Sequence, residues 1–241
     1  MMKELLDLKI RSLRINWDKI DDHSYLHSIP AISTLKSLEF EKAITFFVGE
    51  NGSGKSTLLE AIAVQYGFNP EGGTKNYRFS TYDSHSELCD ALVLSKGVQR
   101  AQWGYFLRAE SFYNVATAEE EYSREGGVPQ RLHKQSHGES FLAAAKENFK
   151  PNGLYIMDEP EAALSPQRQM AMLVKMAECS KQGSQFIVVT HSPILLAIPD
   201  AEILSFDGER IHSCEYVETE SYKVTEMFIN SKEHILDLLL K

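Results

Sequence analysis

Eight residues constrain this chain more than any others: Gly49-Glu50-Asn51-Gly52-Ser53-Gly54-Lys55-Ser56, which fit the pattern GxxxxGK[ST]. Before them lies Ile44-Thr45-Phe46-Phe47-Val48, short, continuously apolar and β-rich; after them a helical pattern runs from Ser56 to about Tyr66. A strand, a glycine loop and a helix in that order build a βα unit whose loop can hold an anion. Glycines let the backbone N–H groups turn inward, and the helix N-terminus adds partial positive charge. Lys55 can then reach the β- and γ-phosphates of a nucleotide, the Ser56 hydroxyl can bind magnesium, and Thr57 begins the helix proper.

The rest of the chain supports an α/β reading. Leu154-Tyr155-Ile156-Met157 and Phe186-Ile187-Val188-Val189 are also short apolar runs, as expected of strands buried on both faces of a parallel sheet. A second helical pattern runs from Ser165 to about Cys179, with Pro166 suited to its first turn. Strands alternating with helices imply right-handed crossovers and a mainly parallel central sheet. Near the N-terminus, Leu6, Leu8 and Ile10 alternate with polar residues, and Leu13 and Ile15 do so one position out of phase. That predicts half-exposed, antiparallel edge structure with an irregularity near Ser12. Between about Gly67 and Pro151 the pattern weakens, and residues from about 84 to 150 read as an inserted, partly helical lobe. Ile203-Leu204-Ser205-Phe206, an Asp207-Gly208 hairpin signal, a strand near Arg210-Ile211-His212 and two short helices complete the chain.

At 241 residues the chain reads as one domain, 1–241, and its 43% hydrophobic and 24% charged content is that of a globular protein. A net charge of −9 gives no general affinity for a nucleic-acid backbone, so contact with one would need a local patch, for which Arg100, Arg108, Arg124, Arg131 and Lys134 are candidates. Cys89, Cys179 and Cys214 are odd in number and lack CxxC spacing, which suits buried thiols in a reducing compartment. No apolar run approaches the roughly 20 residues of a bilayer span, and the N-terminus carries acidic residues where a signal peptide would be apolar; both point to the cytoplasm.

Two further strand ends carry chemistry. Leu154–Met157 runs into Asp158-Glu159-Pro160. Asp158 can complete a magnesium shell with Ser56, since Mg²⁺ favours hard oxygen ligands and takes the rest from water and phosphate. Glu159 can position or deprotonate an attacking water. Val189 runs into Thr190-His191-Ser192-Pro193, where His191 can hydrogen-bond a γ-phosphate and help hold that water. Lys55, Asp158 and His191 all lie beyond strand C-termini, where open α/β sheets bind ligands.

On these residues the sequence resembles the ABC-type P-loop ATPases. Gln135-Ser136-His137-Gly138-Glu139-Ser140, 22 residues before Asp158 and opening an apolar helix, resembles their LSGGQ signature. Glu161-Ala162-Ala163-Leu164-Ser165 resembles their D-loop. The likeness runs from about Ile44 to about Ala197, and its phrasing is similar to small stand-alone ATPases labelled AAA family or SMC-like. It implies Mg-ATP hydrolysis and a head-to-tail homodimer in which Ser136, His137, Gly138 and Glu139 of one copy meet the γ-phosphate held by the other. His137 and Glu139 depart from the usual glycine and glutamine, and Ser165 from the usual aspartate. No Q-loop glutamine follows Tyr105-Phe106-Leu107; Glu110 is the candidate there, as a ligand to magnesium or its water. Transporters often stack an aromatic residue on adenine; Tyr25 and Trp17 stand in the corresponding region, although packing is the simpler reading of both. His133 and His137 lack a third zinc ligand. The missing glutamine favours an ATPase coupled to a soluble protein or nucleic-acid partner; the alternatives are the nucleotide-binding subunit of a membrane transporter and a degenerate nucleotide sensor.

Overall fold

A computed structural model describes residues 8–74, 86–108 and 148–240. Its centre is a sheet of seven strands: β3 (Ile44–Val48), β4 (Gly73–Thr74), β6 (Trp103–Arg108), β7 (Gly153–Asp158), β8 (Gln185–Val189), β9 (Glu202–Ser205) and β10 (His212–Ser213). They lie in the order β10-β9-β3-β8-β7-β6-β4. The five inner strands are mutually parallel, and the short outer strands β10 and β4 pair antiparallel. Beside it, β1 (Ile10–Ile15), β2 (Ser37–Glu39) and β5 (Leu92–Lys96) form an antiparallel sheet in the order β2-β1-β5. The register of β1 against β5 shifts between Ile10 and Ser12, where the hydrophobic alternation changes phase.

Side chains alternate across the pleat, so each inner strand feeds two cores. On one face Phe47, Phe106, Ile156, Ile187 and Leu204 join Ile10, Leu13 and Ile15 of the small sheet and Leu58, Leu59 and Ile62 of α1 (Lys55–Tyr66). On the other, Phe46, Tyr155, Met157, Phe186 and Val188 pack against Met172, Met176 and Cys179 of α2 (Pro166–Lys181). The first helix lies between the two sheets and buries seven of its twelve residues, so its apolar surface is not confined to one stripe. The second has water on one side and buries only those three residues fully.

Gln185, only 1% exposed, joins the sheets. Its Oε1 accepts the N–H groups of Lys9 and Ile10, both at 2.8 Å, and its Nε2 donates to the Ile10 carbonyl at 2.9 Å. The tail ends in α3 (Glu220–Asn230) and α4 (Lys232–Leu239), neither of which buries a residue fully.

The segment read from the sequence as an inserted lobe begins differently from a helical one. Residues 88–91 form a single helical turn, but β5 joins the small sheet and β6 the central sheet, because Leu92, Tyr105, Phe106 and Leu107 alternate into the cores. Residues 109–147 lie outside the described residues. The expected final strand near Arg210–His212 is found at His212–Ser213, beyond an Asp207-Gly208 turn in which Gly208 has φ +94°.

Candidate nucleotide site

The glycine loop leaves the C-terminal end of β3 with three left-handed glycines: Gly49 at φ +136°, Gly52 at +83° and Gly54 at +94°. The conformations alone favour glycine at each position, and two of them also have no room for a Cβ. At Gly54 it would lie 2.6 Å from Ile32 Cγ1, so the turn Pro30–Ser33 seats the start of α1; at Gly49 it would lie 2.8 Å from Asp207 Oδ1. Glu50, Asn51 and Gly52 form the exposed rim, and the loop closes with Ser53 N–H donating to the Glu50 carbonyl at 3.3 Å.

Lys55 opens α1 and is 4% exposed. Its Nζ donates to the Gly49 carbonyl at 2.7 Å, the Glu50 carbonyl at 2.6 Å and Ser53 Oγ at 3.4 Å. Burial pushes its ammonium below the ordinary lysine value, while Asp207, Glu159, Asp158 and Glu50 draw it back up. Four carboxylates thus act on the Lys55 charge.

Ser56 Oγ donates to Asp158 Oδ1 at 3.0 Å, across 102 residues of sequence. A hydroxyl and a carboxylate oxygen brought together are the hard donors that magnesium selects, so the residues present fit the metal expected with ATP. Asp158 ends β7 opposite Val189 of β8 and Arg108 of β6. Arg108 Nη1 turns to Glu60 of α1 at 2.8 Å and is mostly buried, which removes it from any exposed basic patch.

The next residue, Glu159, takes a left-handed conformation at φ +47°, with its N–H donating to the Val189 carbonyl at 3.0 Å. That kink, with Pro160 behind it, turns the Glu159 side chain away from Asp158's direction. Its Oε1 lies 3.8 Å from His191 Nε2, and both side chains are nearly half exposed.

Glu161 supplies what sequence reading missed. The segment Asp158-Glu159-Pro160-Glu161 holds three carboxylates, and the third is occupied: Glu161 Oε2 accepts from Thr190 Oγ1 at 2.7 Å and Oε1 accepts the N–H of His191. Ser192 Oγ donates to Gln169 Oε1 at 2.6 Å, and Gln169 Nε2 donates to the Leu164 carbonyl at 3.0 Å. The turn carrying His191 is therefore braced against residues 160–169 by two side chains. Glu161 was legible only as the start of a D-loop-like segment and Gln169 not at all, because both act on a strand end about 20–30 residues further along the chain.

Asp207 was also legible only as a turn residue. Its Oδ1 accepts the N–H of Glu50 at 2.8 Å, and a cavity of about 600 Å³ lies between it, Gly49, His191, His212 and the start of α3. Trp17 is a packing residue: its Nε1 donates to the Leu35 carbonyl at 2.9 Å and its ring lies 5.1 Å from that of His27. Tyr25 is exposed, with its hydroxyl donating to Ser86 at 3.1 Å. Glu110 and the signature candidates Ser136, His137, Gly138 and Glu139 lie outside the described residues.

Residues 95–196 match a family model described as AAA ATPase domain, and residues 26–103 one described as AAA domain. The ribose import ATP-binding protein RbsA 2 of Burkholderia cenocepacia (strain HI2424) is 22% identical over 232 residues, covering 85% of this chain and 45% of that protein. The nisin transport ATP-binding protein NisT of Lactococcus lactis subsp. lactis is 27% identical over 225 residues, covering 79% and 36%. This chain thus spans less than half the length of these relatives. An SMC head bound to the C-winged helix domain of ScpA superposes with a TM-score of 0.51 at 17% identity, covering 86% of this chain and 98% of that one. Fold, loop and matches define an ATP-binding P-loop ATPase domain. Within that class the chain is similar to ABC-type ATP-binding proteins and shares the fold of an SMC head. Among the described residues no helix is long and apolar enough to cross a membrane.

Proposed function

We propose that this chain binds Mg-ATP, hydrolyses it with Glu159 as the general base, and does so as a homodimer closed around the nucleotide. The observation that carries the reading is the meeting of Lys55, Ser56, Asp158, Glu159 and His191 beyond the C-terminal ends of three adjacent strands, β3, β8 and β7. Lys55 and the loop N–H groups hold the phosphates, and Ser56 and Asp158 would hold magnesium, which when bound offsets charge on the β- and γ-oxygens. Glu159 is the carboxylate of the pair flanking Pro160 that faces the His191 ring, since Glu161 is engaged by Thr190 and the His191 N–H. Glu159 accepts the proton of the attacking water, and His191, 3.8 Å away, holds that water and the phosphate edge. The signature segment Ser136–Glu139 of a second copy completes the site, and residues 1–241 act as one ATPase domain.

A soluble partner is the reading favoured for coupling, supported by the likeness of the fold to an SMC head. The second reading, a transporter subunit, draws on the names of the ribose import and nisin transport relatives. An adjacent permease gene would favour transport, and an adjacent nuclease or toxin gene would favour repair or defence. Phosphate release tests the enzymatic claim: the wild type should release phosphate from Mg-ATP, and Glu159→Gln should be slower by about 10²–10⁴-fold. Normal turnover by that variant would remove Glu159 from the base role.

A further inference from the structure

The peptide joining Gly49 to Glu50 is held from both sides. Its carbonyl accepts from Lys55 Nζ at 2.7 Å, and its N–H donates to Asp207 Oδ1 at 2.8 Å. Because a peptide is planar, these two bonds fix the rotation of the whole unit. The unit needs fixing, because Gly49 at φ +136° has no Cβ to restrict it and the peptide that follows can otherwise flip. A flip would carry the Gly49 carbonyl away from Lys55 and reverse the direction of the first N–H of the loop.

Asp207 is itself immobilised. It follows β9, whose neighbour in the sheet is β3, and the Phe206 N–H donates to the Val48 carbonyl at 2.8 Å one residue before the glycine loop begins. Buried Ser205 donates its hydroxyl to Asp207 Oδ2 at 3.2 Å and accepts the Asp207 N–H at 3.2 Å. The carboxylate lies so close to Gly49 that a Cβ there would come within 2.8 Å of Oδ1. Glycine at position 49 and aspartate at 207 thus form a matched pair.

We propose that Asp207 is a positioning residue for nucleotide binding: it clamps the Gly49–Glu50 peptide so that the rest of the loop faces the phosphates. This inference rests on the ATP-binding reading above. Asp207 touches the loop from behind and acts on affinity, not on the bond-breaking step.

The test compares wild type, Asp207→Ala and Asp207→Asn for ATP dissociation constant, kcat at saturating ATP and thermal midpoint. Asparagine keeps an Oδ1 acceptor for the Glu50 N–H; alanine does not. Asp207→Ala should bind ATP about ten- to a hundred-fold more weakly, the scale of one hydrogen bond to a charged group, with kcat within about twofold. Asp207→Asn should recover most of the affinity. A residue that only supported the fold would lower the midpoint without this split between affinity and kcat. Should the alanine variant not fold, Asp207→Ser, too short to reach the Glu50 N–H, takes its place with the same expected result. Wild-type affinity in the alanine or serine variant overturns the clamp alone, as does equal weakening by asparagine. Failure of the wild type to bind ATP overturns the nucleotide reading and the clamp with it.

Discussion

Replacing Gln185 with methionine should loosen the small sheet from the central one, and the cost can be worked from the contacts. The side chain accepts two backbone N–H groups and donates to one carbonyl, all at 2.8–2.9 Å and all at the start of β1. Methionine fills a similar volume, so little is lost from packing. Each of the three abandoned backbone groups costs about 1–3 kcal/mol when buried without a partner. Some relaxation of β1 and entry of water reduce the sum to about 3–5 kcal/mol, a large effect for one substitution. For a chain of this size each kcal/mol moves Tm by about 2–4 °C, so the midpoint should fall by about 6–20 °C. Thermal unfolding followed by circular dichroism measures the fall, and hydrogen exchange at the Lys9 and Ile10 amides locates it. A midpoint within about 2 °C of wild type, less than roughly 1 kcal/mol, would refute the reasoning. It would leave β1 held by Ile10, Leu13 and Ile15 alone.

Lys55→Ala should weaken ATP binding by at least about tenfold, since it removes a buried, charge-assisted donor from the phosphate site; a binding titration with a fluorescent ATP analogue reads this directly. Glu161→Ala frees Thr190 and His191 and should lower kcat by about tenfold or more, while Glu161→Gln, which can still engage both groups, should recover most of it in steady-state phosphate release. Glu202 accepts from the Glu41 N–H and Thr45 Oγ1, and burial holds its carboxyl above the usual carboxylate range. A raised folded pKa adds stability at low pH and loses it as pH rises, so Glu202→Gln should raise Tm at neutral pH and change it little near about pH 4. Melting curves at the two pH values check the sign.

What the sequence made legible depended on how local each signal was. Ile44–Val48, Leu154–Met157 and Phe186–Val189 became β3 and the cores of β7 and β8 because strands buried on both faces write themselves as unbroken apolar runs. Lys55, Ser56, Asp158 and His191 stand out in the sequence because each lies just beyond such a run. The Gly67–Pro151 stretch was harder: β5 lies in a half-exposed sheet with Val93 and Lys96 facing outward, so its pattern is weak, and β6 contains an exposed Trp103 and a charged Arg108. The roles of Glu161, Gln169, Gln185 and Asp207 were not legible because each acts through partners that only the tertiary fold brings near. Glu161 and Asp207 are polar residues in turns, where composition predicts solvent, and Gln185 is a buried glutamine whose partners are backbone groups 175 and 176 residues away.

The proposed homodimer has ATP joining two copies of this chain. The most direct test is the solution mass of Glu159→Gln by light scattering, with and without Mg-ATP. The variant should be a monomer that doubles in mass when Mg-ATP is added. A monomer in both conditions, with ATP bound at the glycine loop, would contradict it.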